Sequence, residues 1–250
     1  MAEERPVVPR SRDGQRSRSR IAAGGASLMI DFRSLPGAAD FLFMRHAESE
    51  GNRNGLMQGR QESALTDLGR RQARDAGRWI AGRGIGRVLT SPQQRAVETA
   101  AITASEAGLP APEPLALLEE IDIGLFSGLT YEQAAARHPA EYAAFERSSW
   151  EAVPGAETIA ELYARAMDLW RFLLERAGAG ERSILCVTHS GFLQWIIKAT
   201  VGHRAWMPLF SASGNCCVSH LRVDNRDADG GRTLYANWLL VNAPVADGVR

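Results

Sequence analysis

The chain has 250 residues, 45% of them hydrophobic, and its 29 basic and 29 acidic side chains balance at a formal charge of zero. Such a composition supports one large buried core and lacks the basic excess that is typical of nucleic-acid-binding domains. No apolar run reaches the roughly 18 residues of a membrane span, and charges stand where the apolar h-region of a secretory signal would begin. We therefore expect a cytoplasmic protein without nucleic-acid or membrane partners.

Residues 1–35 differ from the rest, because they are rich in Arg, Ser and Pro and contain little that could be buried. Such a segment cannot offset the entropy of its own ordering, so it is expected to be a disordered basic arm. A solvated tail, a functional arm and a coding start that extends upstream of Met29 all remain open. Residues 36–245 are expected to form a single domain.

From Asp40 onward, short apolar runs alternate with helical periodicity. The predicted strands are residues 41–44, 87–90, 115–118, 183–188, 216–223 and 233–240. Helix starts are predicted at Ser91-Pro92, as an N-cap followed by proline, and at capping boxes that begin at Thr130 and Thr158. This alternation predicts an α/β fold, a three-layer α/β/α sandwich whose mostly parallel sheet has helices on both faces.

The chain has three cysteines and five histidines. An odd number of cysteines cannot pair completely, and the adjacent Cys216 and Cys217 would point to opposite faces of a strand. We expect these two and Cys186 to be unpaired core residues. The histidines and cysteines do not show the spacing of a zinc site, so no metal and no cofactor are expected.

Polar side chains follow the ends of the first four predicted strands. They are Arg45, His46, Arg95, Glu120 and His189. Because the carboxyl ends of parallel strands lie on one edge of a sheet, where helix N-termini also point, we expect these groups to converge. Guanidinium groups match the oxygens of a phosphoryl group, a neutral imidazole can attack phosphorus, and a carboxylic acid can protonate a leaving alkoxide. The set therefore predicts metal-free phosphoryl transfer.

The segment Arg45-His46-Ala47-Glu48-Ser49, with Asn52 beyond it, resembles the Arg-His-Gly-Glu-Ser-x-x-Asn signature of the histidine phosphatase superfamily, the phosphoglycerate mutase-like proteins. The resemblance covers about residues 41–200. Further matches in family order are Gln58-Gly59, Leu65-Thr66 with Gly69 and Gln72-Ala73, Ser91-Pro92 with Arg95-Ala96 and Thr99-Ala100, Glu120 with Gly124 and Gly128, Pro154-Gly155, and Val187-Thr188-His189.

The resemblance implies a role for each matched residue. His46 resembles the family's phosphorylated nucleophile, and Glu120 its proton donor. Arg45 and Arg95 resemble the phosphate clamps, and His189 the second histidine, which bonds the transferring phosphoryl group. The remaining matches to phosphate-binding positions are Asn52, Gln58, Gly59 and Ser190.

The sequence departs from the family pattern in a few places. Ala47 replaces the usual glycine beside the nucleophile, which is tolerable if that residue keeps a negative φ. Ser127 stands where many members have Glu, and Glu62 and Ala64 replace an acidic-x-Pro turn. Glu119 is an alternative acid, but the family spacing places the acid four residues before a glycine, as Glu120 is, and Glu119 should face the other way on an extended segment.

The resemblance implies a catalytic domain at 36–245 with a helical lid insert at about 125–157. The insert carries aromatic side chains and few basic ones, which favours a phosphatase over a mutase that must retain its intermediate. Its aromatics, which could be lid or core, are Phe126, Tyr131, Phe145 and Trp150. The predicted function is metal-independent hydrolysis of small-molecule phosphate monoesters through a phosphohistidine. A phosphoglycerate mutase-type transferase, a catalytically silent phosphate-binding regulator and a homodimeric state are left open.

Overall fold

The computed structural model describes residues 30–206, 208–210, 212–225, 227–228, 231–232 and 235–245. Most of the expected arm, residues 1–29, lies outside this range. The expectation that the arm extends to residue 35 is wrong, because Phe32 and Leu35 are buried at 7% and 2% exposure. Asn225 Nδ2 donates to the backbone oxygens of both residues, so this end of the segment belongs to the core.

The strands of the described chain are β1 Gly37–Arg45, β2 Arg87–Thr90, β3 Glu113–Pro114, β4 Ser183–Thr188, β5 Val218–Asn225, β6 Asp227–Ala228, β7 Gly231–Arg232 and β8 Tyr235–Ala243. Six of them form the central sheet, in the order β3-β2-β4-β1-β5-β8. The first four strands in that order run parallel, and β5 and β8 are antiparallel to their neighbours. A separate hairpin pairs β6 with β7.

The helices of the described chain are α1 Glu50–Arg53, α2 Asp67–Ile80, α3 Gln94–Ala107, α4 Tyr131–Arg137, α5 Pro139–Arg147, α6 Ile159–Gly178 and α7 Ser190–Thr200. They cover both faces of the sheet, as the alternating residues of β1 show. Phe41 and Phe43 pack with α6 and α7, whereas Leu42 and Met44 pack with α2 and α3. The α/β prediction is confirmed.

Three predicted strands need correction. Residues 115–118 form no strand: a 3-10 turn covers Ala116–Leu118, after the two-residue β3. β5 begins at Val218 rather than at Cys216, because Cys216 has a φ of +56°, outside the extended region. β8 runs to Ala243, and the first two residues of the predicted strand 233–240 lie outside the described residues.

Two of the three predicted helix starts are confirmed. Thr130 and Thr158 both form complete capping boxes. The third prediction is wrong, because α3 begins at Gln94 and its N-cap residue Gln93 makes no side-chain cap. The hydroxyl of Ser91 contacts a histidine of the site instead, as described below.

The insert at 125–157 is helical, with α4, α5 and a 3-10 turn at Trp150–Ala152. Phe126 is fully buried, and the rings of Phe145 and Trp150 lie 4.5 Å apart. Gly124 and Pro154 close the base of the insert: Gly124 has a φ of +54°, and a Cβ there would lie 2.2 Å from the Pro154 oxygen. The aromatic residues of the insert therefore belong partly to the core.

All three cysteines are buried and free, as predicted. Within the described part of the chain, no helix has the length and apolar character that crossing a membrane requires.

Candidate active site

The predicted site residues meet at the carboxyl ends of the parallel strands, around a cavity of about 220 Å³. β1 ends at Arg45, β4 ends one residue before His189, and α3 carries Arg95 in its first turn. The predicted residues that line the cavity are Arg45, His46, Asn52, Gln58, Gly59, Arg95 and Glu120. The topology therefore brings together groups that are up to 144 residues apart in the sequence, since the set runs from Arg45 to His189.

His46 presents an unprotonated ring nitrogen to this cavity. Its side chain is buried, and Nδ1 lies 2.7 Å from the backbone oxygen of Ala47. A carbonyl oxygen can only accept, so the neutral ring carries its hydrogen on Nδ1 and keeps a lone pair on Nε2. Arg95 Nε donates to that Nε2 at 3.3 Å. The basic nitrogen of the ring therefore faces a guanidinium group.

The surroundings favour the neutral form of both histidines. Burial lowers the pKa of His46 well below the ordinary value for imidazole, and the charges of Arg95 and Arg45 lower it further. Burial also lowers the pKa of His189, with Arg95 and His46 adding to the effect. A neutral imidazole keeps the lone pair that a nucleophile needs. His46 can therefore act as a nucleophile at neutral pH and below.

Arg45 and Arg95 bring two positive charges to the cavity. Arg95 is held by backbone oxygens, since Nη1 donates to Gln61 at 2.7 Å and Nη2 to Gly59 at 2.8 Å. Arg45 donates to the Ser213 oxygen, and its Nε is buried without a hydrogen-bond partner among the described residues. Burial lowers the pKa of both guanidinium groups. Two fixed cations beside one cavity suit an oxyanion.

Asn52 and Gln58 belong to a hydrogen-bonded turn beside the cavity. The N-H and the hydroxyl of Ser49 donate to Asn52 Oδ1 at 3.2 and 3.1 Å, which caps α1. The same hydroxyl lies 3.0 Å from Gln58 Oε1. These bonds use the oxygen atoms of both amides. The NH₂ groups are the atoms that could donate to a ligand.

Glu120 reaches the cavity through a carboxylate that is held by backbone N-H groups. Oε1 accepts from Ile121 and Phe192, each at 2.9 Å, and Oε2 accepts from Gly191 at 3.1 Å. The carboxylate thus binds the first turn of α7, which has no side-chain cap of its own. Glu119 is not among the residues that line the cavity. The structure therefore brings Glu120, and not Glu119, to the site.

A nearly buried ion pair supports the segment that carries Glu120. Arg165 on α6 binds both carboxylate oxygens of Glu157 at 2.8 Å. Its Nη1 donates to the backbone oxygen of Glu119 at 2.7 Å. Its guanidinium carbon lies 3.7 Å from the ring centroid of Phe192, the residue whose N-H binds Glu120. Arg165 therefore contacts the chain on both sides of the Glu120 carboxylate.

His189 lies next to His46, and their ring centroids are 5.1 Å apart. Its Nε2 is 2.8 Å from Ser91 Oγ, and its buried Nδ1 has no hydrogen-bond partner in the described structure. One ring nitrogen is therefore anchored and the other is left for a ligand. Ser190 does not line the cavity, and its hydroxyl instead accepts a bond from Ser213 N-H at 3.0 Å.

Ala47 fits the position where glycine is usual. Its φ is not positive, since Cys216 and Asn242 are the described non-glycine residues with positive φ. Its N-H donates to Thr99 Oγ1 at 3.0 Å, and its side chain is fully buried. Because the φ of Ala47 is not positive, the backbone accepts a Cβ at this position without strain.

Two residues that help to build the site were not predicted. Gln93 links two parts of it, because Nε2 donates to the Gly59 oxygen at 3.0 Å and Oε1 accepts from Glu120 N-H at 2.9 Å. Asn215 Nδ2 donates to the His46 oxygen at 3.0 Å and lies 3.2 Å from an oxygen of Asn52. The position of Gln93 next to Arg95 could have suggested it, whereas Asn215 lies outside every motif block.

Comparisons with known proteins agree with this geometry. A family model described as the histidine phosphatase superfamily (branch 1) matches residues 41–232. The chain is 27% identical to a glucosyl-3-phosphoglycerate phosphatase of Mycolicibacterium vanbaalenii, over 83% of this chain and 97% of the relative. It is 34% identical to a 2,3-bisphosphoglycerate-dependent phosphoglycerate mutase of a Methylobacterium species, over 63% and 78%. The solved structure of mycobacterial hydrolase 1 matches with a TM-score of 0.70 at 25% identity, over 83% and 99%.

Proposed function

This chain belongs to the histidine phosphatase superfamily (branch 1), and on that premise we propose that it hydrolyses small-molecule phosphate monoesters through a phosphohistidine, without a metal ion. One observation carries the proposal: His46 Nε2 keeps its lone pair and faces a cavity that Arg45 and Arg95 also line. The similarity to a phosphatase over nearly the whole length of that relative supports hydrolysis.

In the first half-reaction, His46 Nε2 attacks phosphorus in line with the ester oxygen. The nitrogen-phosphorus bond forms while the bond to the ester oxygen breaks, and Glu120 gives its proton to the departing alcohol. The ring gains positive charge, which the Ala47 oxygen stabilises through the Nδ1 hydrogen. Arg45 and Arg95 stabilise the charge on the phosphoryl oxygens. His189 Nδ1 donates to the same group while Nε2 accepts from Ser91.

In the second half-reaction, water replaces the alcohol. The Glu120 carboxylate takes a proton from the water as its oxygen attacks phosphorus, and the nitrogen-phosphorus bond breaks. His46 recovers its lone pair, inorganic phosphate leaves, and Glu120 is protonated again for the next cycle. Asn52 and Gln58 add amide donors to the phosphoryl group throughout.

The phosphohistidine can be trapped by rapid quenching with a ³²P-labelled substrate. The label should be labile in acid and stable in alkali, as a phosphoramidate is and a phosphoserine is not. His46→Ala should abolish both the label and turnover. His220→Ala is the matched control, because His220 binds Asp40 and does not line the cavity, and it should keep both. Label that persists in His46→Ala would refute the proposal.

The similarity to mutases keeps a phosphoglycerate mutase-type transfer as the second candidate. A mutase must hold a second anionic group of its substrate, which needs cations beyond the phosphate clamps. Arg45 and Arg95 are the cations among the described residues that line the cavity, which favours the hydrolase. His46 and Glu120 line the cavity, and the ring of His189 lies 5.1 Å from that of His46. This grouping of both histidines with the acid likewise favours an enzyme over a silent regulator. The buried, unpaired cysteines support a reducing, cytoplasmic location.

A further inference from the structure

The cavity has two kinds of lining. One part consists of the phosphate-binding groups described above. The other part, which we call the apolar wall, consists of Leu56, Met57, Ile121, Ile123, Tyr131 and Trp150. Building on the proposed function, we propose that the enzyme acts on monoesters of uncharged, largely apolar alcohols or phenols, and that the apolar wall rejects leaving groups that carry a carboxylate.

The charges around the cavity support this selectivity. Among the described lining residues, Arg45 and Arg95 are the cations and Glu120 is the carboxylate. The phosphoryl dianion occupies both cations. A second anion on the leaving group would therefore meet Glu120 and uncharged side chains, and it would lose its hydration without gaining a partner.

Neither Arg60 nor Arg137 supplies a cationic partner for a carboxylate on the leaving group. Arg60 already lies near three carboxylates, at 3.4 Å from Glu119, 3.9 Å from Asp122 and 3.4 Å from Glu157. The exposed Arg137 of the insert does not line the cavity. A carboxylate on the leaving group would have to displace one of the Arg60 pairs to be neutralised.

The apolar wall is also firmly packed. Met57, Ile121 and Ile123 are 8%, 4% and 5% exposed and belong to the main core cluster. Trp150 packs on Phe145, as described above. Tyr131 is half-exposed, and its phenol is uncharged at neutral pH. The wall therefore presents fixed apolar surface, which gains free energy from a leaving group of the same character.

The size of the cavity limits the leaving group as well. Its volume of about 220 Å³ is below the roughly 300–1,000 Å³ of pockets that enclose drug-sized ligands. It suits a phosphoryl group with a small alcohol or a single ring. Phosphoglycerates, which appear in the names of two relatives, carry a carboxylate close to the ester oxygen, so the proposal distinguishes this chain from those relatives.

Benzyl phosphate and 4-carboxybenzyl phosphate test the proposal, because they differ by one carboxylate and have leaving groups of similar basicity. The wild-type enzyme should prefer benzyl phosphate by about tenfold or more in kcat/KM. The kcat/KM for glycerol 1-phosphate should likewise exceed the kcat/KM for 3-phosphoglycerate. Equal or better turnover of the carboxylated substrates would overturn the inference while leaving the proposed function intact. If neither these substrates nor p-nitrophenyl phosphate are hydrolysed, the proposed function fails and the inference with it.

A charge placed in the wall gives the second arm of the test. Tyr131 is 48% exposed, so Tyr131→Arg should fold and should shift the ratio of kcat/KM toward 4-carboxybenzyl phosphate by about tenfold. Tyr235→Arg is the matched control, because Tyr235 on β8 is 56% exposed and does not line the cavity. It should leave the ratio unchanged. An unchanged ratio in Tyr131→Arg would show that the wall does not set the selectivity.

Discussion

A single methyl group at Gly191 should misplace Glu120. The Gly191 N-H donates to the Glu120 carboxylate, and a Cβ there would lie 2.7 Å from Glu120 Oε1 and 2.9 Å from Ile121 Cδ1, whereas ordinary contacts begin at 3.4 Å. In Gly191→Ala the carboxylate must withdraw by about 0.7 Å, and a misplacement of ~1 Å costs about 10²-fold in rate. We therefore expect kcat/KM for benzyl phosphate to fall by about 10- to 100-fold.

The leaving group separates loss of the acid from a general defect. The nitrophenolate of p-nitrophenyl phosphate needs little protonation, so its kcat/KM should fall by less than about threefold in the same variant. Gly178→Ala is the matched control, because Gly178 ends α6 and a Cβ there would meet nothing within 4 Å. It should keep full activity and gain up to about 1 kcal/mol of helix stability.

Two outcomes would contradict this reasoning. Equal losses on both substrates would mean that the methyl group disturbs the whole cavity rather than the acid. Full activity on both would mean either that the carboxylate tolerates the shift or that Glu120 is not the proton donor. Glu120→Gln distinguishes these two explanations, since it removes the acidic proton without adding volume. If Glu120 is the proton donor, this variant should lose kcat/KM for benzyl phosphate and keep it for p-nitrophenyl phosphate.

Three further predictions concern the supports, the histidines and the charges of the site. Glu157→Gln should weaken the two bonds to Arg165 and lower kcat/KM for benzyl phosphate about tenfold, with a smaller loss on p-nitrophenyl phosphate; equal losses would make the pair purely structural. His46 and His189 are held neutral, with folded pKa values below the unfolded value of about 6.5. The unfolded chain therefore binds protons first as the pH falls, so stability should decrease below about pH 6.5, by up to about 1.4 kcal/mol per pH unit for each histidine. Urea unfolding at pH values from 7.5 to 5 measures the free energy of unfolding. If this free energy depended on pH as strongly in His46→Gln as in the wild type, the prediction for His46 would be contradicted. Activity should survive excess EDTA, because guanidinium groups neutralise the phosphoryl charge; loss that magnesium restores would contradict the mechanism.

The sequence predicts best the parts of the fold that local patterns control. β2 and β4 and the capping boxes at Thr130 and Thr158 are where they were expected. The strand prediction for 115–118 is wrong, because a short apolar run has no periodicity that separates a strand from a turn. β3 itself is Glu113–Pro114, which carries no apolar signal. The sequence favours Ser91 as a helix cap, but its hydroxyl contacts His189 Nε2 in the site, and no local pattern shows that contact.

The site residues are predicted more accurately than the bounds of the elements, because each belongs to a short motif that the sequence itself shows. Their identity came from the family resemblance, and their convergence came from the rule that parallel strands end at one edge. Ser190 shows the limit of this reasoning. It occupies a matched position, but its hydroxyl contacts the Ser213 backbone rather than the cavity.

The unpredicted part of the site depends on an antiparallel neighbour. β5 pairs with β1 so that Val218 lies opposite Met44, and the chain that enters β5 must therefore pass the end of β1. This brings Asn215 to the backbone oxygen of His46, although the two residues are 169 positions apart. Helical and strand patterns relate residues only a few positions apart, so they carry no information on this contact. The order of the strands thus places the segment that positions the nucleophile. Substitution of Asn215 should therefore lower kcat/KM although every motif residue is unchanged.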